Sequence, residues 1–129
     1  MSTYRLSVYE KAMPSNLSWP QRLAAASLAG FDGVEMSVDE SDERLSRLEW
    51  DTGKRRALLR ATREAGLYIP SLCLSGHRRY PLGSRDPDTA QHSMDILEKA
   101  IGLAYDLGVR LIQLAGYDVY YEPSASDTV

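Results

Sequence analysis

Three stretches of this chain share one layout: SLAGFDGVEM at Ser27–Met36, REAGLYIPSLC at Arg63–Cys73 and YDLGVRLIQLAG at Tyr105–Gly116. Each is the end of an amphipathic helical pattern, then a glycine, then a short apolar run. Gly30, Gly66 and Gly108 stand at the hinges. Glycine enters the left-handed conformation that closes a helix without a Cβ penalty, so helix–glycine–strand is the predicted unit. A further apolar run at Leu6–Tyr9 precedes the first copy. The order is then β-α-β-α-β-α-β, which specifies parallel strands joined by helical crossovers. The expected class is α/β, a parallel β-α repeat with four strands and three main helices. A closed barrel of this kind needs eight such units, so four make one half. Residues 1–122 are expected to form the half barrel, and the small, polar Pro123–Val129 a frayed tail.

The first strand is predicted over Arg5–Tyr9, where Leu6 and Val8 alternate with Ser7 and Tyr9. Ser18-Trp-Pro-Gln21 has the form of a capping box with proline in the first turn. The helix it opens runs to about Ala29 and turns Leu23, Ala26 and Leu28 toward a sheet. The second strand is predicted over Gly33–Val38, with Val34, Met36 and Val38 on one face and Glu35 and Ser37 on the other. Asp39–Trp50 is too polar for a strand, but Leu45 and Leu48 are spaced to pin a short helical turn. A second helix is expected from an Asp51 or Thr52 cap to about Ala65, with Leu58, Leu59, Ala61 and Ala65 inward. Its Lys54-Arg55-Arg56 cluster reads as a solvated face. The third strand, Tyr68–Leu74, holds Pro70, which disfavours a regular ladder at that point. Asp88 is expected to cap the third helix, whose stripe is Met94, Leu97, Ile101 and Ala104. The fourth strand is predicted over Arg110–Ala115.

The chain has 129 residues, a formal net charge of −3 and one cysteine, Cys73. Nothing in this balance points to nucleic acid or an anionic membrane. A single cysteine forms no internal disulfide, and the start MSTYRLSVYE has no long apolar stretch, so the expected compartment is the cytoplasm. No window approaches the roughly 18 apolar residues of a membrane span.

In a parallel α/β sheet, ligands meet the loops that follow the strands. Four segments then share one rim: Tyr9–Lys11, Ser37–Glu40, Ser75–Tyr80 and Gly116–Asp118. The third holds His77, Arg78 and Arg79 in a row. Arginine offers a planar fork of donors to phosphate or carboxylate. The alternative is a solvated basic loop whose arginines pair with Asp86 or Asp88. Glu35 is either an inward-facing acid, base or metal ligand, or a hydrogen-bonded structural glutamate. Tyr117, Tyr120, Tyr121 and Asp118 either line a sugar pocket or cover the sheet end. His92 is expected at the surface. No His-x-x-x-His pair, Cys-x-x-Cys pair, nucleophile elbow or GxGxxG motif is present.

Four longer blocks are far more specific than any short motif: YEKAMP (Tyr9–Pro14), GFDGVEMSVDESDERLSRLEW (Gly30–Trp50), PSLCLSGHRRYPLGS (Pro70–Ser84) and GVRLIQLAGYDVYYE (Gly108–Glu122). On these blocks the chain closely resembles the L-ribulose-5-phosphate 3-epimerases, also called L-xylulose-5-phosphate 3-epimerases and formerly hexulose-6-phosphate isomerases. Their wider group is the xylose isomerase-like TIM barrels. The resemblance implies the N-terminal half of a (β/α)8 barrel. It further implies an enzyme of L-ascorbate and pentose use that inverts carbon 3 of a ketopentose 5-phosphate. In that group a divalent metal polarises the C2 carbonyl and C3 hydroxyl, and two glutamates exchange the C3 proton across the sugar.

Those ligands and glutamates lie on later strands, beyond residue 129, so the resemblance places no catalytic or metal-binding residue in this chain. It implies a divalent metal for the full-length family and none bound to this fragment. By their place on the rim, Ser75, His77, Arg78, Gln113 and Tyr117 are the candidates for contact with the sugar or phosphate. The expected partner is a small sugar phosphate, with no nucleic acid and no membrane. Self-association through the open sheet edges is expected as well. Three outcomes remain open at the sequence level. The chain is an epimerase half inactive by itself, part of an enzyme completed by a second chain, or a non-enzymatic sugar-phosphate-binding half barrel.

Overall fold

The computed structural model describes residues 3–124, and in it strands and helices alternate in the predicted order. Strand β1 is Ser7–Tyr9, followed by a 3-10 turn at Glu10–Ala12 and helix α1, Trp19–Leu28. Strand β2 is Gly33–Val38, then come the short helix α2, Asp42–Leu45, and a 3-10 turn at Ser46–Glu49. Helix α3 is Thr52–Glu64 and strand β3 is Leu72–Leu74, with a 3-10 turn at Gly76–Arg78. Helix α4, Pro87–Leu107, leads into strand β4, Ile112–Leu114.

The sheet order is β1-β2-β3-β4 and every pairing is parallel. Ser7 to Tyr9 pair with Gly33 to Glu35, Met36 to Val38 with Leu72 to Leu74, and Leu72 to Leu74 with Ile112 to Leu114. Three strands are shorter than predicted. Pro70 has no N–H to give, and only an isolated bridge from Tyr68 to Gly33 continues the third strand below it.

The local signals act as their chemistry requires. Ser18 accepts from the Gln21 backbone while the Gln21 side chain accepts from Ser18, closing the capping box. Asp51 caps α3 through the Lys54 N–H at 2.8 Å. All three hinge glycines adopt positive φ: Gly30 at 89°, Gly66 at 71° and Gly108 at 69°. These are the left-handed closures that only glycine takes freely.

Helices cover one face of the sheet. Val34, Met36, Val38, Leu72 and Leu74 meet Leu23, Ala26, Leu58, Ile96, Ala100, Leu103 and Leu107 in one core. Each large aliphatic chain buried there stabilises by roughly 1.5–3 kcal/mol.

Four local expectations are corrected. Leu28 does not face the sheet; it is 90% exposed. It sits in the last residue of α1, past the turn that packs. Asp86, not Asp88, caps α4, accepting from the Thr89 N–H at 3.1 Å. That frame puts Pro87 at the first helical position, where its missing N–H is no loss. Arg55 is not solvated: its Nε donates to the Trp50 carbonyl at 2.8 Å, and its guanidinium reaches Asp106 at 2.9 Å. Lys54 and Arg56 are exposed as expected. The α4 stripe is partly rotated. Ala104 of the predicted stripe is buried and Leu97 packs against the core, but Met94 and Ile101 are exposed, and Ser93, Ile96, Ala100, Leu103 and Leu107 are buried instead. Apolar residues lie on two faces of α4, so periodicity alone did not choose between them.

Of the expected tail, residues 125–129 lie outside the described residues. Ser124 is tied down, its hydroxyl 2.6 Å from Asp118.

Candidate functional site

The four strands point the same way, so the segments that follow them gather at one end. Three features are built there, and the first lies deepest. Glu10, immediately after β1, is 1% exposed. Its carboxylate accepts from the Ser37 N–H at 2.6 Å and from both terminal nitrogens of Arg47. Arg22 of α1 and Arg44 of α2 approach the same carboxylate at 3.6 and 3.8 Å. Arg47 also donates to the Ser37 carbonyl at 2.7 Å and lies over the Trp19 and Trp50 rings. Three guanidiniums thus surround one buried carboxylate. Burial pushes the Arg22 guanidinium below its ordinary value, and Arg47 and Arg44 add to the fall against the pull of Glu10. This centre bolts the loop after β2 to the ends of β1 and β2.

The second feature is the outer edge of that loop. Lys11 pairs with Asp39 at 2.6 Å, and Ser41 donates to Asp39 through both its N–H and its hydroxyl. Burial pushes the Asp39 carboxyl up, but the Lys11 and Ser41 hydrogen bonds outweigh it and hold it at about 2. A carboxylate held below its ordinary value stabilises the fold above about pH 4 and loses that contribution as pH falls toward 2. Lys11 is partly exposed, so solvent screening limits the effect to about 1–2 kcal/mol. Asp39→Asn is therefore expected to flatten the fall in stability between pH 4 and pH 2. Urea midpoints measured across that range check it; an unchanged pH dependence would exclude this role.

The third feature is the most exposed. Arg78, after β3, lies 3.6 Å from Glu40 and 4.8 Å from the centre of the Tyr120 ring. The Tyr117 hydroxyl beside it holds its guanidinium above the ordinary value. Tyr121 donates to Glu40 at 3.0 Å. Tyr120 meets Tyr117 at a tilt and Tyr121 edge to face, with ring centres 5.2 and 4.8 Å apart. Arg79 turns away to Asp42 at 2.7 Å. The arginines pair with Glu40 of the neighbouring rim segment and with Asp42 of α2, not with Asp86 or Asp88.

The concave face of the sheet, opposite the helices, is polar. Ser37, Cys73 and Gln113 align across β2, β3 and β4, and the Tyr9 hydroxyl donates to Ser37 Oγ at 3.0 Å. Burial raises the Tyr9 phenol to about 12, with Cys73 and Glu10 adding to the rise and the Ser37 hydroxyl opposing it. One layer down, Glu35 accepts from the Ser71 hydroxyl, the hydrogen-bonded arrangement among its two alternatives.

Of the five rim candidates, the structure brings Arg78 and Tyr117 together. Ser75 is half-buried beside them in sequence, and Gln113 is exposed on the concave row. His77 is 3% exposed, with Nε2 2.9 Å from the Ser93 carbonyl of α4 and Nδ1 without a partner among the described residues. It ties the loop after β3 to α4. His92 is exposed and meets Tyr80 edge to face. Sequence reasoning missed Glu10 as a centre and Glu40 as the partner of Arg78. Glu10 and Arg47 are 37 positions apart, and no local spacing marks such a pair.

Among the described residues, no group of three or more His, Cys, Asp or Glu side chains is placed to hold a metal ion. None of their helices is long and apolar enough to cross a membrane.

Residues 23–128 match the sequence profile of the xylose isomerase-like TIM barrel. This chain belongs to the xylose isomerase-like TIM barrel family. Within that family it is 54% identical over 123 residues to the L-ribulose-5-phosphate 3-epimerase UlaE of Escherichia coli O139:H28 (strain E24377A / ETEC), covering 95% of this chain and 43% of the relative. It is 58% identical over 122 residues to the provisionally named L-ribulose-5-phosphate 3-epimerase SgbU of Escherichia coli (strain K12), again covering 95% and 43%. The chain thus spans less than half the length of these relatives and matches the N-terminal part of the L-ribulose-5-phosphate 3-epimerases. A crystal structure of D-psicose 3-epimerase in the presence of D-fructose shares the fold at a TM-score of 0.73 and 12% identity, over 96% of this chain and 43% of that one. As a xylose isomerase-like barrel, the chain holds four parallel strands of the fold, and its polar concave face corresponds to a barrel interior.

Proposed function

We propose that this chain is the N-terminal, substrate-facing part of a 3-epimerase that interconverts L-xylulose 5-phosphate and L-ribulose 5-phosphate. The observation that carries it is the identity above one half with L-ribulose-5-phosphate 3-epimerases over 95% of this chain. Arg78 supports it with a half-exposed guanidinium at the mouth of the half barrel. Its planar fork suits a phosphate, which displaces Glu40 as the anion it faces. Tyr117 and Ser75 offer hydroxyls to the phosphate or the sugar, and Gln113 offers an amide from the concave row. His77 works from beneath, holding the loop that presents Arg78.

Epimerisation at carbon 3 removes a proton from one face and returns one to the other, so it needs two bases and a stabilised negative charge on the neighbouring oxygen. Among the described residues no group of three or more His, Cys, Asp or Glu side chains is placed to hold a metal ion, Glu35 is held by Ser71, and Glu10 is held by its arginines. Proton transfer belongs to strands that the longer relatives possess. This chain binds and orients the sugar phosphate. The purified 129-residue chain, assayed with L-xylulose 5-phosphate and manganese, is therefore expected to show no turnover. Measurable epimerisation by it would overturn this division of labour.

A further inference from the structure

We infer that Glu40 is a charge filter at the rim: it holds the place of an anion on Arg78, so that a dianionic phosphate monoester is admitted and a singly charged carboxylate is not. This rests on the reading of Arg78 as the phosphate contact and adds the residue that decides which anions reach it.

Glu40 stands between two partners. Its carboxylate is 3.6 Å from a terminal nitrogen of Arg78, close enough to neutralise the guanidinium and too far for a hydrogen bond. Arg78 Nε has no hydrogen-bond partner among the described residues. The pair is therefore ionic and loose, and both side chains are partly open to solvent, 41% for Arg78 and 32% for Glu40. The firmer contact of Glu40 is with the Tyr121 hydroxyl, which donates to it at 3.0 Å. Tyr121 is a fixed post. Gly83 donates its N–H to the Asp118 carbonyl at 3.0 Å, and a Cβ on Gly83 would fall 2.8 Å from that oxygen, so a side chain there would push the two segments apart. The Ser84 hydroxyl and the Arg85 N–H hold the Glu122 carboxylate at 3.0 and 3.2 Å. Arg79 reaches the Glu40 carbonyl at 3.4 Å. The segments after β2, β3 and β4 are thus tied to one another with Glu40 set beside Arg78.

An incoming anion must exchange with Glu40. A ligand carboxylate trades one singly charged carboxylate for another and gains nothing in charge. A phosphate monoester carries about −1.5 to −2 charges at pH 7 and three strong acceptor oxygens, so it neutralises Arg78 better and engages the fork with two hydrogen bonds. Glu40, once displaced, keeps the Tyr121 hydroxyl and is not left unpaired. The other nearby carboxylate, Asp42, is already engaged by Arg79 at 2.7 Å.

Calorimetric titration of the purified chain tests this at about pH 7.5, where the phosphate is a dianion. The probes are L-xylulose 5-phosphate and D-fructuronate, a ketose that ends in a carboxylate. The wild-type chain is expected to bind the phosphate and not the carboxylate. Glu40→Gln keeps the shape and the Tyr121 contact, and is expected to bind the phosphate about three- to tenfold more tightly and to gain binding of D-fructuronate. Tyr121→Phe removes the post to which Glu40 withdraws, so it acts in the opposite direction and weakens phosphate binding about two- to fivefold. In the Glu40→Gln background Tyr121→Phe has no such effect, which separates an exchange between Arg78 and Tyr121 from a general disturbance of the rim. Asp42→Asn removes an equal charge from the exposed Asp42 and changes affinity by less than about twofold. Phosphate affinity unchanged or lowered in Glu40→Gln, an equal gain in Asp42→Asn, wild-type binding of D-fructuronate as tight as that of the phosphate, or no phosphate binding by either protein overturns the inference. Failure of the reading beneath it looks different: phosphate affinity is then the same in Arg78→Ala as in the wild type. If Arg78→Ala loses binding and Glu40→Gln changes nothing, the phosphate contact stands and the filter falls.

Discussion

Glu10→Gln is expected to remove about 3–5 kcal/mol of folding stability, the range for taking one partner out of a buried ion pair. The substitution keeps the shape and leaves a neutral amide among Arg22, Arg44 and Arg47, two of them buried. Glutamine still accepts the Ser37 N–H, so what is lost is charge, not packing. Domains of this size are stable by about 5–15 kcal/mol, so the variant stands near its unfolding midpoint in mild denaturant. With a urea slope of about 1–3 kcal/mol per molar, the midpoint falls by more than about 1 M. Circular dichroism during urea titration measures it. A change below about 1 kcal/mol would mean that the guanidiniums are solvated and that Glu10 does not organise the rim. Glu10→Gln combined with Arg47→Gln should lose less than the sum of the two single variants, since they share one bond network.

The second large effect concerns Arg78. In a barrel completed with the C-terminal part of an epimerase relative, Arg78→Ala is expected to raise KM for L-xylulose 5-phosphate about 10- to 100-fold. That is the magnitude of a charge-assisted hydrogen bond, about 1.5–3 kcal/mol. A phosphate contact remote from carbon 3 binds ground state and transition state alike, so kcat stays within about threefold. Arg78→Lys keeps the charge and loses the fork, and falls between the two. Arg79→Ala changes little, because Arg79 pairs with the exposed Asp42. Steady-state kinetics with and without the 5-phosphate separate the roles. A kcat loss in Arg78→Ala, or an equal loss on unphosphorylated L-xylulose, would remove Arg78 from phosphate binding.

Much of the fold was legible because its signals are local. The three hinge glycines, the Ser18–Gln21 box and the Leu45–Leu48 turn each depend on a few neighbouring residues, and each formed as read. Ambiguity entered where two local solutions compete. Asp86 and Asp88 are equally good caps by type, and only the place of Pro87 separates them. The α4 stripe was right at Leu97 and Ala104 and wrong at Met94 and Ile101, because the helix has a second apolar face and a periodic pattern carries no statement of which face meets the sheet. The rim was legible as a set of segments but not as pairs. Arg78 with Glu40, Arg55 with Asp106 and Glu10 with Arg47 are contacts between elements, set by strand order and register. The resemblance implied a sugar phosphate and the rim position had already named Arg78; the structure adds its neighbours, Glu40 and Tyr120.

The decisive measurement is turnover by a joined chain. Residues 1–122 of this protein replace the matching segment of the Escherichia coli epimerase UlaE, leaving the relative's later strands in place. Conversion of L-xylulose 5-phosphate to L-ribulose 5-phosphate is then followed with manganese present. If this chain is the substrate-facing half of such an enzyme, the joined protein epimerises the phosphorylated sugar with kcat/KM within about tenfold of the parent, and the unphosphorylated sugar far more slowly. A folded joined protein that does not act on L-xylulose 5-phosphate, or that prefers the unphosphorylated ketose, would contradict it.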